Sequence, residues 1–139
     1  MNNPLSDRPE EAKRHFATRI LIADDTLSSR ELLRSILEGS GYEVVEAEDG
    51  QQVLERATIF KPHLMILDLQ MPKLNGCAAA TALRRIPAFR TTPIVALTAA
   101  LSDVAPEQIA EAGFTSYLVK PIGPARLRQC IASLLEEAD

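Results

Sequence analysis

Five side chains capable of chemistry each follow a short apolar run. Asp24 and Asp25 follow Ile20-Leu21-Ile22-Ala23, Asp68 follows Leu64-Met65-Ile66-Leu67, Thr98 follows Ile94-Val95-Ala96-Leu97, and Lys120 follows Tyr117-Leu118-Val119. Three carboxylates brought to adjacent strand ends repel one another and cannot all stay ionised without a cation. No Cys or His adjoins them in the sequence, so the ligands would be hard oxygens, which favours Mg²⁺ with Mn²⁺ as the alternative. Mg²⁺ takes one or two carboxylates, keeps several waters and binds phosphate oxygens, so the set suits phosphoryl chemistry. An aspartate can itself be the nucleophile and become an aspartyl-phosphate. Lys120 could then neutralise one phosphoryl oxygen, and the Thr98 hydroxyl could hydrogen-bond another.

These residues meet only if the runs before them are strands of one sheet. A short, almost wholly apolar run reads as a strand buried on both faces, as in a parallel sheet. Such sheets bind ligands beyond the carboxyl ends of their strands, where Asp68 falls, and Pro72 stops the central strand from continuing. The first strand, from Arg19, ends in Asp24-Asp25. Thr26 or Ser28 can cap the helix after it, Ser28 and Glu31 having capping-box spacing, and Leu32, Leu33, Ile36 and Leu37 form its apolar stripe. Gly39 and Gly41 stop that helix.

Tyr42 to Ala47 alternates enough for a strand nearer an edge. Asp49-Gly50 makes a turn, and a helix over 51–58 turns Val53, Leu54 and Ala57 inward. Leu74-Asn75-Gly76 reads as a second turn, leading into a helix over 77–86. Pro106 suits the first position of a short helix to about Ala112, which leaves a long loop over 99–105. A last helix over 124–137 carries Leu127, Cys130, Ile131 and Leu134 on one face. Strands alternating with helices imply a parallel sheet covered on both sides.

The chain of 139 residues suits a single core, and 46% hydrophobic with 24% charged residues is a globular composition. A net charge of -4 leaves no electrostatic footprint for nucleic acid. No apolar run approaches the roughly 20 residues of a membrane span, and no signal region opens the chain, so a cytoplasmic protein without membrane insertion is expected. Residues 1–18, with Pro4, Pro9 and a mixed-charge run, are expected to form a mobile tail, and 19–139 the domain. Cys77 and Cys130 lack metal-ligand spacing and read as packed thiols, and neither His15 nor His63 has a ligand partner in view.

The order Asp24-Asp25, Asp68-x-x-Met71-Pro72, Asn75-Gly76, Thr98-Ala99, Tyr117, Lys120-Pro121 resembles the receiver domain of two-component response regulators, over about residues 19–137. The resemblance implies a flavodoxin-like, doubly wound α/β fold with five parallel strands in the order 2-1-3-4-5. It implies Asp68 as phosphoacceptor, Asp25 and Asp68 as direct Mg²⁺ ligands with the backbone carbonyl of Gln70, and Asp24 reaching the metal through water. Thr98 and Lys120 would hold the phosphoryl group, Tyr117 would change rotamer with Thr98, and the Lys120-Pro121 bond would be cis. Gln70 and Ala100 occupy the two positions that modulate phosphoryl lifetime. The implied donor is a histidine kinase or histidine phosphotransfer protein, and the implied receiver of the signal an unnamed downstream protein. Such a chain is a signalling module that catalyses only its own phosphotransfer and dephosphorylation.

Each role has a plainer counterpart: Tyr117 as core, Thr98 as a strand end, Lys120 as a solvated lysine, and Met71-Pro72 and Asn75-Gly76 as loop shapers. Two other functions compete. A small Mg²⁺-dependent aspartyl-phosphate phosphatase would carry a second Asp two residues after the nucleophile, where Gln70 stands. A phosphorylation-independent binding module would have no need of the intact acceptor, acidic pair, Thr98 and Lys120.

Overall fold

Buried apolar strands alternate with helices along the whole of the computed structural model, which describes residues 18–99 and 102–138. In chain order these are β1 (Arg19–Ala23), α1 (Leu27–Gly39), β2 (Glu43–Ala47), α2 (Gly50–Phe60), β3 (Leu64–Asp68), α3 (Gly76–Arg84), a 3-10 turn (Pro87–Phe89), β4 (Ile94–Thr98), α4 (Pro106–Ala112), β5 (Ser116–Val119) and α5 (Pro124–Ala138). The five strands form one sheet in the order β2-β1-β3-β4-β5, and every pairing is parallel. The expected tail over 1–17, His15 within it, and Ala100 lie outside the described residues.

Successive side chains of a strand face opposite sides of the sheet, and both sides here are covered. Leu21, Met65, Leu67, Ile94 and Ala96 pack beneath α2, α3 and α4 with Val53, Ala57, Leu83 and Ile109. Ile20, Ile22, Leu64, Ile66, Val95 and Leu97 pack on the other side with Leu33, Ile36 and Leu37 of α1 and Leu127 and Ile131 of α5. Leu64 through Leu67 have no exposed surface at all. At about 1.5–3 kcal/mol for each large side chain buried, this strand is a principal source of stability.

Three local expectations need correction. Leu32 is 57% exposed. The inward stripe of α1 is Arg30, Leu33, Ile36 and Leu37, and at about 100° per residue Leu32 falls beside it. The side chain of Thr26, the N-cap residue of α1, makes no capping bond, and Ser28 lies inside the helix rather than before it. The Asp24 carboxylate takes the Thr26 N–H instead, at 2.9 Å. Finally, Asp49-Gly50 and Asn75-Gly76 are helix starts rather than free turns. Asp49 and Asn75 are N-caps, accepting from the N–H groups of Gln52 and Ala78 at 2.8 and 2.9 Å.

The expected short fourth helix is present, with seven residues and Pro106 in its first turn. Gln108 reaches back to the Ala105 N–H at 2.8 Å. Its other end is tied to α3. Thr81 donates its hydroxyl to the Ala112 carbonyl at 3.0 Å, and Arg84 Nε donates to that of Gly113 at 2.9 Å. The same guanidinium donates to the carbonyls of Phe89 and Thr92, both at 2.7 Å.

Candidate functional site

Because β1, β3, β4 and β5 are parallel neighbours, their carboxyl ends share one edge of the sheet, and the site lies there. Asp24 follows β1 directly and is fully buried, Asp25 beside it is exposed, and Asp68 closes β3 with 7% of its surface exposed. One carboxylate oxygen from each of these three residues lies within 4.8 Å of the others. Thr98, the last residue of β4, is 5% exposed, and its hydroxyl makes a long 3.3 Å contact with the Ala99 carbonyl. Lys120 follows β5, and its Nζ lies 2.9 Å from Asp24 Oδ2 and 2.8 Å from Asp68 Oδ2. Thus the three aspartates and Lys120 converge, and Thr98 ends the strand between those that carry Asp68 and Lys120.

Gln70 is at the exposed start of the loop after β3, where its N–H donates to Asp68 Oδ1 at 3.0 Å. Tyr117 is 41% exposed on the edge strand β5, opposite Ala96 of β4, so it is no core residue. The Lys120-Pro121 bond is cis. His63 is exposed, and its Nδ1 accepts from the Arg19 N–H, at the opposite end of the strands.

Burial pushes the Asp68 carboxyl upward; the Lys120 ammonium and the Gln70 N–H hold it back, and Asp24 adds to the rise. Burial also works against charge on Lys120, but its bonds to Asp68 and Asp24 outweigh that, and its affinity for the proton is raised. Three carboxylates thus share the single ammonium of Lys120, which bonds to two of them. The cluster's ligand atoms are all carboxylate oxygens, with no nitrogen or sulfur within the group. That donor set fits a hard divalent cation such as Mg²⁺.

Several supporting residues escaped the reading from sequence. Arg30 is 7% exposed. Its Nη1 donates to the Asp24 carbonyl at 2.7 Å and its Nε to Glu46 Oε1 at 3.0 Å. An arginine within the inward stripe of a helix was the available signal. Two glycines admit the loop after β3. A Cβ on Gly76 would lie 2.4 Å from the Asp68 carbonyl oxygen, and one on Gly50 would lie 1.9 Å from that of Leu74. Lys73, at a positive φ of 68°, places its Nζ 3.7 Å from Asp49 Oδ2, across the same junction.

A five-stranded parallel sheet of order 2-1-3-4-5 with an acidic cluster and a lysine at its carboxyl edge defines a class, and comparison with known proteins gives it a family. Residues 20–132 match the response regulator receiver domain, and the chain belongs to that family. It is 30% identical over 119 residues to the polar-differentiation response regulator DivK of Brucella anthropi, covering 86% of this chain and 97% of that one. It is 40% identical over 122 residues to the transcriptional regulatory protein PdtaR of Mycobacterium tuberculosis, covering 87% of this chain. The chain spans about half the length of the transcriptional regulators it matches, 56% in the case of PdtaR. Among solved structures it resembles the receiver domain of the sensor histidine kinase PA1611 from Pseudomonas aeruginosa PAO1, crystallised with a magnesium ion coordinated in the active site cleft. That match has a TM-score of 0.80 and 28% identity, covering 86% of this chain and 98% of the other.

Proposed function

We propose that Asp68 accepts a phosphoryl group from the phosphohistidine of a histidine kinase or histidine phosphotransfer protein, and that its phosphorylation alters the face formed by α4, β5 and α5. The observation that carries this reading is the setting of Asp68: a nearly buried carboxylate closing the central strand, with Lys120 Nζ 2.8 Å from one oxygen. In the transfer an Asp68 oxygen bonds to phosphorus as the bond from phosphorus to the donor imidazole nitrogen breaks, leaving an acyl phosphate and a free histidine. Asp25, Asp68 and the Gln70 backbone carbonyl would hold Mg²⁺ directly, with Asp24 supporting it from behind. When bound, the cation neutralises the phosphoryl oxygens during transfer.

Lys120 bridges Asp24 and Asp68 before transfer and is within reach of a phosphoryl oxygen afterwards. The Thr98 hydroxyl, only loosely engaged with the Ala99 carbonyl, turns to another oxygen. Tyr117 follows Thr98 and carries the change to the surface. The geometry of the carboxylates and the magnesium ion in the PA1611 receiver support the metal assignment.

Acetyl phosphate with Mg²⁺ should add one phosphoryl group that is labile to base and hydroxylamine, read by intact mass. Asp68→Asn should abolish the addition. A stable phosphate on Ser or Thr in that variant would refute the assignment.

A further inference from the structure

Asp25 is the one exposed carboxylate of the cluster and sits on a loop, so something must fix the direction in which it leaves the chain. Its own side chain does not, because among the described residues its hydrogen-bond partner is the adjacent Thr26 hydroxyl, at a long 3.4 Å. The peptide plane joining Asp24 to Asp25 is held instead. The Asp24 carbonyl lies just past the end of β1 and accepts from Arg30 Nη1 at 2.7 Å. A peptide group is planar, so anchoring that oxygen also orients the N–H and Cα of Asp25. On the preceding side, the Asp24 N–H donates to the Ala47 carbonyl at 3.3 Å.

Arg30 is in turn held from outside. Its Nε binds Glu46 Oε1 at 3.0 Å, while Arg34 Nη1 takes Glu46 Oε2 at 2.7 Å and Arg34 Nε binds Glu38 at 2.9 Å. The result is a line of bonds from the outer side of α1, through the end of β2, to the backbone beneath the carboxylates. The fork of a guanidinium is what allows one side chain to serve a carboxylate and a carbonyl at once; an ammonium lacks that fixed geometry.

We infer that Arg30, steadied by Glu46, is a positioning residue that sets Asp25 for divalent-cation binding through the Asp24 carbonyl. This deepens the proposed function and rests on its assignment of Mg²⁺ to Asp25 and Asp68. Charge and position predict opposite signs, which makes the inference testable. A positive charge this near an acidic cluster repels a cation. If Arg30 acted through charge alone, Arg30→Met would tighten Mg²⁺ binding and Arg30→Lys would leave it unchanged. If it acts by position, both variants bind more weakly, by about tenfold or more, as for other residues that orient metal ligands.

The experiment is a calorimetric titration of the full chain with Mg²⁺ alone, beside thermal melting in the absence of metal. Arg30→Lys and Arg30→Met are compared with the parent. Glu46→Gln, which keeps the shape but loosens the anchor, should weaken binding by less. Arg34→Gln removes the outer pair without touching the Asp24 carbonyl, and should lower the melting temperature without weakening Mg²⁺ binding. Unchanged affinity in Arg30→Lys, or tighter binding in Arg30→Met, overturns the inference and leaves the proposed function standing. Should Arg30 variants fail to fold, unchanged Mg²⁺ affinity in Glu46→Gln overturns it equally. No Mg²⁺ binding by the parent would overturn the metal assignment itself, and the inference with it.

Discussion

Among single residues, the acidic cluster shows a site that costs the fold stability. Carboxylates about 5 Å apart repel by about 1 kcal/mol in bulk water and by about 3 kcal/mol at a near-surface dielectric, and Lys120 offsets only part of this. Asp25 contributes to the repulsion without being packed, so Asp25→Asn should melt higher than the parent in the absence of metal. In the proposed role it is also a ligand, so the rise in melting temperature that millimolar Mg²⁺ gives the parent by linkage should shrink in the variant. Equal shifts in the two proteins would contradict the role. Glu46 behaves in the opposite sense. The Arg34 hydrogen bond holds its carboxyl below the ordinary range, against a smaller rise from burial, and Arg30 adds to the lowering. A depressed folded-state value means stability that is full above the ordinary glutamate value of about 4.3 and is lost as pH falls through the folded value. Glu46→Gln should therefore melt below the parent near neutrality, with the gap closing in acid. Melting curves across that range check the sign.

At the scale of elements, the loop after β3 is tight because a helix begins at each side of it. Asn75 caps α3, Asp49 caps α2, and the residue following each cap is a glycine against the loop backbone. Gly76→Ala would press a methyl onto the Asp68 carbonyl, and relief requires the end of β3 to move. A loss of about 1–3 kcal/mol, the usual cost of overpacking, should appear in denaturant melts, along with slower phosphorylation by acetyl phosphate. The chain was legible at this scale wherever burial dictated residue type. Leu64 to Leu67 are fully buried and announce a two-sided strand, and the same holds for Ile94 to Leu97. Asp49-Gly50 and Asn75-Gly76 were less legible, because an aspartate or asparagine before glycine serves a turn and a helix cap equally well. Leu32 was misread because hydrophobicity alone cannot separate a stripe from its neighbour. Arg30 went unseen as a site residue because, although its place in the inward stripe marks it as buried, the backbone carbonyl it holds near the site is one that no sequence pattern marks.

For the whole molecule, the question is how a change at Asp68 reaches a surface. Thr98 ends β4 and Lys120 follows β5, so a group bound by both would act on two adjacent strands at once. Contacts made only in the phosphorylated state are what shifts a population. With a beryllofluoride mimic of the phosphoryl group, amide shift changes should spread over Ser102 to Gly113 and Tyr117. In Thr98→Ala they should contract toward Asp68, with phosphorylation itself largely retained. Changes concentrated on α1 and α2 in the parent would place the responding face elsewhere.

The bonds from Thr81 and Arg84 give α4 two unequal ends. Ala112 and Gly113 are moored to α3, while at the start of the helix the Ala105 N–H is taken by the helix's own Gln108. A rod fastened at one end can swing but not slide. If α4 moves in the proposed response, its moored end favours an arc, widest at Pro106 and smallest at Gly113, and a partner resting on this helix would meet a change of angle rather than of distance. Such a hinge would let the start of α4 swing while β5, just beyond the mooring, keeps its register with β4.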